Sequence, residues 1–159
     1  MKKIAVIGTG LSALSLAYHL PALDITFFEK SWRPGGRIST RKHNQYAFDH
    51  GAHYLKLDHG VIGLNEFLKK IDAIKILKGQ FCSNISQNSP IEDKEIIVGK
   101  EGNESIPINI HKSLHYPTYF SKQITSIETI NKEYFLIAGE EKFGPVSYTH
   151  LTLPTKRIV

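Results

Sequence analysis

Cysteine and tryptophan are almost absent from this sequence, with one residue of each among 159. The single cysteine, Cys82, has no partner for an internal disulfide, which excludes a disulfide-stapled fold. The eight histidines are scattered without the spacing of zinc ligands, so no metal site is expected. The composition predicts a soluble, cytoplasmic globular protein.

A long apolar run is also missing. Lys2 and Lys3 precede an apolar segment that resembles the start of a signal peptide, but Gly8-Thr9-Gly10 interrupts it. No small-residue cleavage site follows, and the segment is too polar to cross a bilayer. We therefore expect neither secretion nor a membrane anchor.

Basic charge is present in only modest excess. The formal net charge is +5, and no basic run alternates with aromatic residues as it does in nucleic-acid-binding segments. An anionic cofactor suits this excess. We expect a small-molecule ligand and no nucleic-acid partner, whereas nothing in the sequence indicates the oligomeric state.

The N-terminus carries a strand, a glycine turn, a helix and a second strand in order. Residues 4–13 read IAVIGTGLSA, and a second apolar segment, ITFFE, ends at Glu29. Gly8 permits a tight turn, Gly10 lets the backbone approach a pyrophosphate, and Ala13 takes the third glycine position. Glu29 follows Gly8 by about 20 residues, where a carboxylate accepts hydrogen bonds from ribose hydroxyls. The pattern predicts a dinucleotide-binding βαβ unit.

The helix after the glycine turn is expected to hold the phosphates. It begins near Leu11, so the N–H groups of Leu11, Ser12 and Ala13 are free of helical partners. These groups and the positive end of the helix dipole favour a bound anion.

A second glycine-rich segment indicates which dinucleotide binds. Residues 30–41 read KSWRPGGRISTR. Gly35 and Gly36 allow close backbone approach, and Arg37 offers a planar fork of donors suited to a diphosphate. Because a nicotinamide dehydrogenase does not need this second loop, we predict FAD, with Gly36 and Arg37 on the diphosphate.

A third element follows, in which residues 46–54 read YAFDHGAHY. With it the chain resembles the FAD-dependent amine oxidase superfamily, most closely its small renalase-like members. Their pattern is a GxGxxG/A unit, then Glu-Lys, Gly-Gly-Arg and Asp-x-Gly-Ala-Gln. Glu29 and Lys30 match the Glu-Lys pair, and Asp49-His50-Gly51-Ala52 match the last element except that His53 replaces its Gln.

The resemblance implies an α/β fold. We expect a Rossmann-like FAD/NAD(P)-binding domain that is incomplete, with a parallel sheet, helices and an added β-hairpin. It also implies that Lys30 belongs to the cofactor site and that Gly51, Ala52 and His53 lie along the flavin.

The resemblance also implies an activity. The chain is expected to be the N-terminal, FAD-binding part of an oxidoreductase that takes a hydride from a small reduced substrate and passes electrons to dioxygen. No catalytic acid or base is assigned, and the chain alone is expected to be inactive. Two alternatives remain open: a carotenoid-desaturase-like or protoporphyrinogen-oxidase-like flavoenzyme, and a truncated nucleotide-binding module without activity.

The last residues do not continue the pattern. Residues 145–159 show neither amphipathic periodicity nor an obvious strand, and they resemble a translated sequencing adapter. We therefore expect a partial FAD-binding domain over residues 1–144 and a non-native tail over 145–159.

Sequence patterns in the rest of the chain predict shorter helices and strands. Helices are expected within 60–70 and at 106–114, strands at 74–77 and 95–100, and a turn-rich segment over 81–91. Residues 122–128 and 134–139 read as a hairpin. In the family the backbone of the first hairpin strand meets the adenine, which implies a role for Gln123, Ile124 and Thr125.

Overall fold

The βαβ order predicted for the N-terminus is present in the structure, a computed structural model that describes residues 3–56, 64–82 and 91–151. β1 (Lys3–Ile7) leads through the glycine turn into α1 (Leu11–His19), and β2 (Asp24–Phe28) ends directly before Glu29. The chain divides into two units. The first unit comprises residues 1–36 and 110–159, and the second comprises 37–109.

A parallel four-stranded sheet organises the first unit. Its order is β12-β1-β2-β8, where β8 is Thr118–Tyr119 and β12 is Tyr148–Leu151. β1 and β2 pair in register with Ile4 opposite Ile25. Apart from Lys3, Asp24 and Thr26 both strands are apolar, so they form a sheet that can be covered on both faces.

Alternation along β1 and β2 sends side chains to opposite faces of this sheet. Ala5 and Phe28 form a core cluster with Leu136, against which Phe143 and Val146 pack. On the helical segment, Ala13, Leu14 and Ala17 are buried at a spacing that places them on one side of α1. Small residues in this short helix permit close packing.

The hairpin predicted near the C-terminus is confirmed. β9 (Ser126–Ile130) and β10 (Glu133–Ala138) are antiparallel, and β11 (Glu141–Val146) adds a third strand. Asn131 and Lys132 join β9 to β10 with φ of 52° and 66°. Positive φ at both central residues is typical of a turn whose twist matches the flanking strands.

The second unit is built from antiparallel strands and helical segments. β3 and β4 pair with each other, and a separate sheet has the order β5-β7-β6. The chain returns to the first unit within α3. The bounds are β3 Thr40–His43, β4 Tyr46–Asp49, β5 Leu55–Lys56, α2 Leu64–Lys70, β6 Ile74–Cys82, β7 Ile91–Gly99 and α3 Ser105–Leu114.

Several elements differ from their predicted extent. β6 and β7 are each nine residues long, so they take in both ends of the segment expected to be turn-rich. Residues 83–90 of that segment, and residues 60–63 of the first expected helix, lie outside the described residues. Long cross-strand pairing from Ile74 to Cys82 stabilises residues whose local sequence alone is a weak strand signal.

Two expectations about where strands lie in the C-terminal part are wrong. Residues 123–125 precede β9 instead of belonging to it, although the Thr125 N–H donates to the Ile137 carbonyl at 2.8 Å. The segment after 144 does contain strand: β11 continues to Val146, and β12 pairs in parallel with β1, Ile4 opposite Tyr148. β12 supplies a partner for the side of β1 that faces away from β2.

Candidate cofactor site

The glycine turn between β1 and α1 forms the first part of the site. Gly8 has φ of 98°, a conformation that favours glycine, and its N–H donates to the Phe28 carbonyl at 2.7 Å. Gly10 is the N-cap of α1, and no side chain caps the helix there. A Cβ added at Gly10 would meet nothing within 4 Å. The helix N-terminus therefore opens onto space that an anion can occupy.

The second glycine loop lies directly against this turn. Gly35 and Gly10 form an isolated parallel β-bridge, and the Gly35 N–H donates a hydrogen bond to the Thr9 carbonyl at 3.1 Å. A Cβ at Gly36 would lie 3.4 Å from Gly10 Cα. Gly35 and Gly36 have φ of 142° and 60°. The structure thus brings together two glycine segments that the sequence separates by about 25 residues.

Glu29 is buried beside the turn, with 5% of its surface exposed. Its Oε2 accepts hydrogen bonds from the backbone N–H and the hydroxyl of Thr9, both at 2.7 Å. Its Oε1 accepts one from the Ser31 N–H at 2.9 Å. A carboxylate has about four acceptor positions. Three are used by the protein, which leaves one acceptor position on Oε1.

The remaining predicted residues of the first unit differ in accessibility. Leu11 is half-buried and Ala13 is buried. Ser12 and Lys30 are exposed. Ile124 is partly buried and packs against the cluster of Ala5, Phe28 and Leu136, so its side chain belongs to the core.

The predicted residues of the second unit meet at the backbone of Arg37. The Ala52 N–H donates to the Arg37 carbonyl at 3.2 Å, and a Cβ at Gly51 would lie 2.2 Å from that same oxygen. Arg37 and His53 are exposed. Among residues 3–56, 64–82 and 91–151 the Arg37 guanidinium has no hydrogen-bond or ion-pair partner, so it is available to an anionic ligand.

A buried polar network supports this turn, and sequence reasoning missed it. Its members are Thr40, Asp49, Asn103 and Glu104, joined by hydrogen bonds of 2.7–3.1 Å. The sequence pattern places Asp49 in the third motif and assigns it no role. The signal in the sequence is the polar run directly before α3, in which Asn103 and Glu104 are buried in place of apolar residues.

Within the described ranges no three His, Cys, Asp or Glu side chains are grouped to hold a metal ion. No helix in the described part of the chain combines the length and apolarity that a bilayer crossing needs.

The chain is similar in sequence to several known proteins. The family of NAD(P)-binding Rossmann-like domains matches residues 6–70. The sequence is 43% identical over 54 residues to the coproporphyrinogen III oxidase of Staphylococcus aureus, which covers 31% of this chain and 12% of that protein. It is 40% identical over 53 residues to protoporphyrinogen oxidase 2 of Arabidopsis thaliana, which covers 32% and 10%.

A solved structure extends the similarity beyond the N-terminus. Wild-type putrescine oxidase bound to putrescine superposes with a TM-score of 0.71 at 10% identity, covering 96% of this chain and 58% of that one. At this identity the likeness concerns the fold, which is the mixed α/β, Rossmann-like architecture described above. The chain spans only part of each protein that it matches.

Proposed function

We propose that the chain is the FAD-binding part of a flavin-dependent oxidoreductase of the amine oxidase and protoporphyrinogen oxidase family. The support is the match to NAD(P)-binding Rossmann-like domains over residues 6–70, the similarity to two porphyrinogen oxidases and the fold shared with putrescine oxidase. The activity proposed for the whole protein is removal of a hydride from a small reduced substrate, with dioxygen as the electron acceptor. FAD, the cofactor of this family, supplies the hydride-accepting chemistry when bound, and the protein binds and orients it.

The observation that carries the proposal is the contact between the two glycine segments. Gly10 leaves open space at an uncapped helix N-terminus, and Gly35 bridges to it. A diphosphate held there would accept hydrogen bonds from the first N–H groups of α1. Arg37, which directly follows Gly36 in the sequence, is proposed on the resemblance of the second motif to supply a charge-assisted contact.

Glu29 is proposed to bind the adenosine ribose through its one remaining acceptor position. Thr9 and Ser31 occupy the other three positions, which orients the carboxylate before any ligand arrives. Preorganisation of this kind lowers the entropic cost of binding. The exposed Lys30 ammonium lies next to Glu29 in sequence and is proposed to contribute favourable charge for an anionic cofactor.

The Gly51–His53 turn is proposed to lie along the flavin. Gly51 has φ of 141° and no room for a side chain, so the backbone of this turn is constrained by Arg37. His53 stands where the family has Gln, and its exposed imidazole can donate or accept a hydrogen bond. The backbone of Ile124 is proposed to meet the adenine. No catalytic acid or base is assigned, and a cytoplasmic location is proposed on composition alone.

A second candidate substrate class has support from the comparisons. Both curated relatives described above are porphyrinogen oxidases, with 43% identity over 54 residues and 40% identity over 53 residues. A porphyrinogen-oxidising flavoenzyme therefore stands beside the amine-oxidase or renalase-like assignment. The two differ in substrate and share the proposed FAD site.

The cofactor proposal is tested by the visible spectrum of the purified full-length protein. We expect a yellow protein, or a colourless one that becomes yellow on incubation with FAD. A protein that does not bind FAD but binds NADH would contradict the proposal. Hydrogen peroxide release with amines and with porphyrinogens, measured in parallel, then distinguishes the two substrate classes.

A further inference from the structure

Asn103 is a buried side chain that joins three segments of the second unit. It is 2% exposed. Its Nδ2 donates to the Ala52 carbonyl at 2.8 Å, and its Oδ1 accepts from the Gly99 N–H at 2.8 Å. Both ends of the carboxamide are therefore used, and the side chain links the end of β7 to the Gly51–His53 turn.

Asp49 holds the other end of the same turn. Its Oδ1 accepts from the backbone N–H of Asn103 and from the hydroxyl of Thr40, both at 2.7 Å. Residues 49 and 52 are thus both bound to Asn103, one through its backbone and one through its side chain. The residues between them are therefore tied to the segment that leads into α3.

Thr40 and Glu104 fix the position of Asn103 in turn. The Thr40 N–H donates to Glu104 Oε2 at 3.1 Å, and the Glu104 N–H donates to Thr40 Oγ1 at 3.0 Å. Gly102 has φ of 94°, and a Cβ there would lie 2.5 Å from Thr40 Cγ2. Close approach and reciprocal hydrogen bonds therefore hold the start of α3 against β3.

We propose that Asn103 is a positioning residue for the cofactor site. Its carboxamide sets the conformation of the Gly51-Ala52 backbone, which packs on the Arg37 carbonyl. The inference rests on the proposed function, because that turn is the one proposed to lie along the flavin. Asn103 acts through Ala52 and Asp49 and needs no contact with FAD itself.

The test is an isosteric exchange in the full-length protein. Asn103→Asp keeps an acceptor for the Gly99 N–H and removes the donor to the Ala52 carbonyl, since an ionised carboxylate repels that oxygen. We expect FAD affinity to fall roughly tenfold or more and the visible circular dichroism of the bound flavin to change. Asn44→Asp is the matched control, because Asn44 is exposed at a turn with φ of 52° that Asp tolerates.

A measurement on the wild-type protein covers the case in which Asn103→Asp does not fold. In native-state hydrogen exchange the Ala52 N–H is expected to open together with the N–H groups of Thr40 and Asn103. Fast, independent exchange at Ala52 would overturn the inference. So would unchanged affinity and unchanged flavin dichroism in a folded Asn103→Asp protein. Failure of the wild-type protein to bind FAD would instead overturn the proposed function, and this role with it.

Discussion

Thr9 donates two hydrogen bonds to a single oxygen of Glu29. Its backbone N–H and its hydroxyl both lie 2.7 Å from Oε2. Thr9 is fully buried, so neither bond competes with solvent. The acid that we propose for ribose binding therefore also acts as a structural clamp, which joins the glycine turn to the end of β2.

Because of this clamp, a substitution of Glu29 should lower both the stability of the fold and the affinity for FAD. In Glu29→Gln the NH₂ group would face at least one of the donors from Thr9 and Ser31. We expect the free energy of unfolding to fall by about 1–3 kcal/mol. We also expect FAD affinity to fall roughly tenfold or more. Urea unfolding and FAD titration check the two effects. The exposed Glu140→Gln is the control, and a Glu29→Gln protein equal to it in both assays would refute the clamp.

Gly10→Ala is expected to impair binding without impairing the fold. Gly10 has φ of −72°, which alanine adopts readily, and its added Cβ would contact no atom within 4 Å. The methyl group would occupy the space proposed for the diphosphate. Isothermal titration should show FAD affinity roughly tenfold or more weaker, with an unchanged melting midpoint.

The matched control for that exchange is Gly139→Ala. Its Cβ also meets nothing within 4 Å, but its φ is 62°. We expect a loss of stability of about 1–2 kcal/mol and no loss of FAD affinity. If Gly10→Ala binds FAD as tightly as Gly139→Ala does, the glycine turn does not hold the diphosphate.

Gly51→Ala is expected to be strongly destabilising. The new Cβ would lie 2.2 Å from the Arg37 carbonyl oxygen, and φ at this position is 141°. Backbone strain and steric overlap together should cost at least about 3 kcal/mol. Differential scanning calorimetry should show a midpoint well below that of Gly139→Ala. Equal midpoints would mean that the turn relaxes away from Arg37 at little cost.

His111 should make stability depend on pH. Burial lowers the pKa of its imidazole below the usual value, and its Nε2 lies 2.7 Å from Thr118 Oγ1. The unfolded chain then binds the proton more tightly than the folded chain. Stability from this group is present above about pH 6.5, the ordinary histidine pKa. It is lost as pH falls from there through the lowered pKa.

The measurement is urea unfolding at pH 7.5 and pH 5.5 for the wild-type protein and His111→Gln. Gln can still hydrogen-bond to Thr118 but does not titrate. We expect a smaller loss of stability on acidification in the variant. The exposed His19→Gln is the control for histidine content. An identical pH dependence in His111→Gln and the wild type would rule out this contribution.

Deletion of residues 148–159 tests the strand that the sequence did not suggest. β12 pairs with β1 over four residues, so its removal leaves a hydrogen-bonding edge of β1 unpaired. We expect the melting midpoint of chain 1–147 to lie below that of the whole chain. It should fall by roughly 2–4 °C for each kcal/mol by which the free energy of unfolding decreases. This shorter cut retains Val146, which packs against the core cluster. An unchanged midpoint would favour the prediction that residues 145–159 are a non-native tail.

The sequence by itself determined the βαβ unit and the order of its motifs. Gly8 and Gly10 follow an apolar run, and Glu29 closes the next one, so local sequence is sufficient to place β1, α1 and β2. The hairpin around Asn131 is likewise a local feature, because two residues with positive φ set its turn.

Only the tertiary structure decided how these motifs support one another. The bonds from Thr9 and Ser31 to Glu29 use most of the acceptor positions of a carboxylate that the sequence suggested was free for the ribose. Asn103 reaches Ala52 across about 50 residues, and β12 reaches β1 from the far end of the described chain. These hydrogen-bond and strand partners are set by packing and by the need of buried polar groups for hydrogen bonds. Both depend on residues that are distant in sequence, so they leave no periodic pattern in the sequence.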